Sequence, residues 1–155
     1  MAPEESLITK AWRDLLEYEF PPTVLEVERG NIRRWTEAVG DPNPLWNDDE
    51  YARKSRYGKI VAPLTFLIDR GITPIADRII ATGGPPSFLN GGTEIEYFKP
   101  IEVSDTITAT QRLADIKEKT GSSGKMLILL CEIDYKNQKG ELVRKCRQTF
   151  IRLKK

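Results

Sequence analysis

The chain has 155 residues, with 24 Lys plus Arg against 23 Asp plus Glu, two cysteines and no histidine. That length supports a single domain spanning 1–155 with a full core, and a balanced charge without long runs of one sign excludes the basic footprint of a nucleic-acid binder. The missing histidine excludes Ser-His-Asp and Cys-His machinery and the HExxH zinc site within one chain, leaving carboxylates, lysine, tyrosine or the backbone for acid–base work. The first twenty residues are interrupted by Glu4, Glu5, Lys10, Arg13, Asp14, Glu17 and Glu19, so they carry no apolar core of a secretory signal.

"PPTVLEVER" (21–29) reads as a short extended segment entered through two prolines. From Asn31, apolar residues at Ile32, Trp35, Ala38 and Val39 fall at helical spacing, and Gly40 is a natural residue to end that helix. The corner "GDPNPLW" (40–46) follows, with a proline on each side of Asn43 restricting the backbone. Asn47 with Glu50 three positions later predicts an N-cap and capping box for a short helix through "DDEYARKS". Leu64, Ile68, Ile72, Ile75 and Ile79 then set one apolar stripe, predicting a single long helix kinked near Gly71 and Pro74. "TGGPPSFLNGG" (82–92) reads as loop.

Four strands complete the chain: "TEIEYFKP", "DTITATQRLADIK", "KMLILLCEIDYK" and "ELVRKCRQTFIRLKK". The third is apolar at consecutive positions from Met126 to Cys131, which predicts a central strand covered on both faces. Helices followed by an antiparallel meander give an α+β fold with the sheet wrapped around a helix. Cys131 and Cys146 fall in strands without a second cysteine at metal-ligand spacing, so both are expected to be buried thiols in a reducing cytoplasm and no metal site is expected. The most apolar window, Ile60–Ala81, contains Asp69, Arg70, Asp77 and Arg78, which argues against a membrane span and for a soluble cytoplasmic chain.

"AVGDPNPLWNDDEYARKSRYGKIVAPLTF" resembles the MaoC-like hot dog fold dehydratases and (R)-specific enoyl-CoA hydratases, whose signature is Gly-Asp-x-Asn-Pro-x-His before a short helix. "GGTEIEYFKPIEVSDTITA" is similar to their second landmark, a strand reaching Pro and turning into the next strand. The resemblance implies a hot dog fold and an acyl-CoA or acyl carrier protein thioester as substrate, with no further cofactor. It also implies that the signature Asp and His hold the water added to, or removed from, the acyl double bond. Asp41 and Asn43 match the signature, and Trp46 stands at the histidine position. Indole has one N–H donor and no base, so Trp46 does not replace imidazole in proton transfer. A backbone N–H eighteen residues further on, from glycine in the family, polarises the thioester carbonyl; here that position is Leu64 in Ala62-Pro63-Leu64.

The pattern resembles the half of heteromeric or fused double hot dog dehydratases that lacks the dyad and lines the acyl or pantetheine tunnel. It implies a hot dog homodimer, or a heterodimer with a dyad-bearing subunit. On this reading Asn43, Trp46, Tyr57, Gly58, Pro63 and Leu64 are candidate substrate-binding residues, and Asp41 is the remnant of the catalytic pair. Plainer readings stand beside these. Asp41 serves equally as a turn residue at a helix exit, Trp35 as core on a helix face, the Arg53–Lys59 cluster as a solvated face rather than a seat for coenzyme A phosphates, and the Tyr57 ring as a seal on the corner. Two other functions are compatible with the residues: a thioesterase using Asp41 or Glu50 as base, and an acyl-thioester binding module without chemistry.

Overall fold

The computed structural model describes residues 5–67, 70–122 and 124–153. Helices α1 (Lys10–Leu16), α2 (Arg29–Val39), α3 (Asp49–Lys54) and α4 (Thr73–Ala81) accompany strands β1 (Thr23–Glu26), β2 (Ser87–Tyr97), β3 (Thr106–Gly121), β4 (Gly124–Lys136) and β5 (Leu142–Leu153). The five strands form one antiparallel sheet in the order β1-β3-β4-β5-β2. This is the hot dog α+β architecture.

On β4, Leu127, Leu129, Cys131, Ile133 and Tyr135 point to the inner face and are fully buried. One end of that face packs with Ile32, Ile60 and Ile107, and the other with Trp12, Ile75 and Ile79; half-buried Ile72 touches both groups. Full burial of each such side chain contributes ~1.5–3 kcal/mol, so α4 is held by its apolar stripe far more than by its own short ladder. β4 is central as expected, but the expected cover on both faces is not seen: Met126, Ile128 and Leu130 on the outward face remain partly exposed.

The single long kinked helix expected from the 64–79 stripe is not formed. Leu64 is 63% exposed, helix begins only at Thr73, and Ile68 lies outside the described residues. The physical reason is a competing donor. Arg144 is buried on β5 and its guanidinium donates to the carbonyls of Phe66 (2.8 Å) and Leu67 (2.7 Å), acceptors that a continuing helix would use for itself. Leu67 (φ 60°) and Gly71 (φ 77°) take left-handed conformations that end any helical run. A side chain at Gly71 would put its Cβ 2.9 Å from that of Ala109, so glycine also lets this segment press against the sheet. Pro74 falls in the first turn of α4, where its missing N–H costs nothing.

Three smaller corrections follow the same logic of local competition. The N-cap of α3 is Asp48, whose carboxylate accepts from the N–H of Glu50 and Tyr51; Asn47 instead donates to the Thr36 hydroxyl. β2 starts within the stretch read as loop, with a bulge between Asn90 and Gly92. Gln148 secures that bulge by donating to Asn90 Oδ1 (2.7 Å) and Gly92 O (2.9 Å) while accepting from Thr93. Helix α1, built on Trp12 and Leu15, has no counterpart in the sequence reading.

Both cysteines are buried and free. Burial, together with the neighbouring Cys146, pushes the Cys131 thiol up to about 12. No helix among the described residues is long and apolar enough to cross a membrane.

Candidate functional site

The corner at 40–46 is built almost entirely from its own atoms. Gly40 closes α2 in the left-handed conformation (φ 69°), and the Asp41 N–H returns to the Thr36 carbonyl at 2.9 Å. Asp41 Oδ1 then accepts the Asn43 N–H (3.1 Å), and Asn43 Oδ1 accepts the Leu45 N–H (3.0 Å), capping a single turn of 3-10 helix over Pro44–Trp46. That turn swings Trp46 back so that its indole Nε1–H donates to Asp41 Oδ2 at 2.8 Å. Both oxygens of the carboxylate are therefore engaged inside the loop. The residue at the histidine position of the signature keeps a bond to the aspartate, but through a donor that neither takes nor gives a proton.

Beyond the indole lies a cavity of about 520 Å³ walled by Trp46, Tyr57, Pro63, Leu64, Tyr97 and Phe98, with Ile101 and Val143 behind them. Such a volume is of the size that takes a small organic ligand. Its lining is mainly apolar and holds no carboxylate, histidine or cysteine among the described residues. Two cations sit on it, Arg56 and Lys99. Arg56 donates to the Tyr57 hydroxyl (2.6 Å), and Lys99 pairs with Glu141 (2.5 Å). That lysine, with Asn137, holds the Glu141 carboxyl below the usual carboxylate range. Nearby, a bond to Glu102 raises the Lys59 ammonium above its ordinary value.

Leu64 occupies the cavity wall, and its N–H has no hydrogen-bond partner among the described residues. Its carbonyl accepts the Tyr97 hydroxyl at 3.0 Å, so β2 braces the turn that carries this N–H. Arg144 braces the same turn from beneath, stacked 4.0 Å over the Tyr135 ring.

Of the residues singled out from the sequence, Trp46, Tyr57, Pro63 and Leu64 converge on the cavity. Asp41 and Asn43 stand behind Trp46, away from it, and Gly58 is exposed in the turn after α3 with a positive φ of 71°. Glu50 is exposed and paired with Lys54 (2.6 Å). Trp35 donates to Thr65 (3.2 Å) and packs edge-on against Phe66. Tyr97, Phe98, Lys99 and Arg144 were missed as site residues. "YFKP" was legible as a landmark, an aromatic pair ending a strand before proline, whereas nothing in the sequence around Arg144 marks it.

A family model described as "FAS1-like, dehydratase domain region" matches residues 16–146. The chain belongs to the FAS1-like dehydratase family. A relative in this family, a UPF0336 protein of Thermobifida fusca, is 33% identical over 120 residues, covering 75% of this chain and 76% of the relative. Among solved structures, a chain of the ChsH1–ChsH2 complex from Mycobacterium tuberculosis superposes with a TM-score of 0.76 at 20% identity, over 94% of this chain and 95% of that one. A chain of the HadBC (3R-hydroxyacyl-ACP dehydratase) complex from the same organism gives 0.71 at 22% identity, over 86% and 93%. The resemblance to MaoC-like hot dog dehydratases read from the sequence therefore holds for fold and family.

Proposed function

We propose that this FAS1-like dehydratase chain is the acyl-thioester-binding subunit of a 3-hydroxyacyl-thioester dehydratase or enoyl-CoA hydratase, and that a partner hot dog chain brings the Asp/His pair. One observation carries the reading: the indole of Trp46 occupies the Asp41 carboxylate and faces the cavity in place of a base. Loss of a general acid–base costs ~10²- to 10⁴-fold in rate, so a site that retained its aspartate only as a loop brace would do little chemistry alone. What the site offers is an apolar wall for acyl or pantetheine carbons, the Leu64 N–H for a thioester carbonyl, and Arg56 and Lys99 for the anionic end of the carrier. Both structural relatives named above are complexes of two differently named proteins, which supports a two-subunit arrangement. The thioesterase alternative draws no support from the geometry, because Asp41 and Glu50 are both engaged and neither lines the cavity.

The test is titration calorimetry of the isolated chain with crotonyl-CoA, followed by a hydration assay on the same sample. The reading expects saturable binding that Leu64→Glu abolishes, with hydration at the buffer rate. Turnover well above the buffer rate by this chain alone overturns the division of labour, and an absence of any binding heat overturns the ligand.

A further inference from the structure

Tyr97, the last residue of β2, lies directly opposite Arg144 on β5. Both side chains reach the same turn. The Tyr97 hydroxyl donates to the Leu64 carbonyl (3.0 Å), and the Arg144 guanidinium donates to the carbonyls of Phe66 (2.8 Å) and Leu67 (2.7 Å). One cross-strand pair thus grips most of the carbonyl side of the 64–67 turn. Helix α2 adds a tie from the Trp35 indole to the Thr65 hydroxyl (3.2 Å), and the Ala62 N–H fastens the entry to the Ile101 carbonyl (2.7 Å). A chain reversal alone does not require this, least of all a buried guanidinium, whose desolvation is unfavourable.

These ties leave a donor over. Within the turn the Pro63 carbonyl points across to the Phe66 N–H (2.9 Å). No peptide bond among the described residues is cis, so the Leu64 N–H, on the same peptide unit as that carbonyl, points the opposite way, out of the turn. It has no partner among the described residues, and Leu64 itself stands on the cavity wall. We propose that Tyr97 and Arg144 are positioning residues for ligand recognition: by pinning the carbonyl side of the turn they hold the Leu64 N–H as a fixed donor for the carbonyl of an acyl thioester. The proposal rests on the functional reading above and adds to it the residues that make the site selective for a carbonyl.

Preorganisation is the source of the selectivity. A loose turn loses freedom when its N–H is captured by a ligand, and that loss opposes binding. A turn whose carbonyls are already pinned keeps its donor aimed whether or not a ligand is present. Tyr97 acts from the cavity wall, with its hydroxyl spent on Leu64, whereas Arg144 acts from beneath, buried and off the cavity lining. Opening this clamp should therefore remove the preference for a thioester over the same molecule without its carbonyl oxygen, and leave binding of the latter intact. One neutral hydrogen bond corresponds to a preference of about two- to tenfold.

Titration calorimetry of the full chain with crotonyl-CoA and with S-(but-2-enyl)-CoA, the thioether that lacks the carbonyl oxygen, measures that preference. The parent is expected to favour the thioester about two- to tenfold, and amide NMR to show the Leu64 N–H moving downfield with the thioester and not with the thioether. Tyr97→Phe removes one oxygen from a part-exposed ring. It is expected to bind the thioether as the parent does, to bring the ratio close to one and to lose the Leu64 shift. Arg144→Lys, away from the cavity, is expected to lower the ratio in the same direction, and a folded Arg144→Lys chain with the parent's ratio overturns the shared clamp. Where Arg144→Lys does not fold, Tyr97→Phe decides: a ratio that survives there overturns the proposal. So does a Leu64 amide in the parent that ignores the thioester, because any preference then comes from the Tyr97 hydroxyl itself. If neither compound binds the parent, the functional reading fails and the positioning role falls with it.

Discussion

Trp46→His returns the signature residue to a corner whose other parts are all in place. The structure allows the cost to be worked out. Exchanging indole for imidazole removes about 80 Å² of side-chain surface, and with Trp46 half-buried roughly half of that counts, or ~1 kcal/mol at ~25 cal/mol per Å². The space left against the cavity wall adds to this, giving ~1–3 kcal/mol in total. The bond to Asp41 survives, because a ring N–H of histidine replaces the indole N–H, and Gly40, Pro42, Pro44 and the Asp48 cap are untouched. The melting temperature should therefore fall by about 2–12 °C. Hydration of crotonyl-CoA, followed by loss of the conjugated enoyl absorbance, should remain at background if, as proposed, the rest of the cavity serves only as a binding wall. A variant that hydrates at least tenfold faster than the parent, a barrier change of ~1.4 kcal/mol, with unchanged melting would refute this. It would make Asp41 one half of a working pair lacking only its base.

Arg144→Met removes the two donors under the 66–67 turn and leaves the Phe66 carbonyl unsatisfied, at ~1–3 kcal/mol, while the Leu67 carbonyl keeps the Arg70 N–H at 3.2 Å; urea unfolding should show a loss of about 1–3 kcal/mol, and a loss below ~0.5 kcal/mol would show that the turn holds itself. Glu118 accepts from Ser6 Oγ (2.9 Å) and the Leu7 N–H (2.7 Å), and these bonds lower its carboxyl below the ordinary range. The folded value is depressed, so the attachment of the N-terminal segment persists above the unfolded value near ~4.3 and is lost as pH falls through the folded value. Hydrogen exchange at the Leu7 amide should therefore lose protection in that acid window and, in Glu118→Gln, already be weaker at neutral pH; protection unchanged in the variant would sink the assignment.

Much of the fold was legible because its signals are local. Gly40 ends α2 because only a left-handed residue fits there, and the prolines beside Asn43 announce a fixed corner. The meander from β3 to β5 shows in alternating side chains, and the centrality of β4 in its apolar run. What escaped depends on residues far apart in the chain. The 64–79 stripe keeps helical spacing, and Gly71 and Pro74 marked its weak point, but the full break is imposed by a guanidinium 77 and 78 positions away. "NGG" reads as a turn at any distance from its context; Gln148, 56 positions from Gly92, makes it a bulge inside a strand. Asn47 and Asp48 are equally good caps by type, and only the position of Thr36 decides between them. At the site, the signature located the corner and the wall at 63–64, while the partners that close the cavity from β2 and β5 come from parts of the chain the motif does not touch.

The bond between indole and carboxylate also sets how the corner responds to its surroundings. Were imidazole there, the contact would change charge and tautomer across roughly pH 5.5 to 8, and the loop would register each change. An indole N–H is a permanent donor over that whole range, so the donor side of the link from Trp46 to Asp41 has no proton to gain or lose. With no histidine anywhere in the chain, the surface charge is nearly constant over the same interval. The corner thus has no imidazole through which cellular pH would reach the cavity wall, and on the proposed two-chain reading an acid–base profile of the assembly would report on the partner.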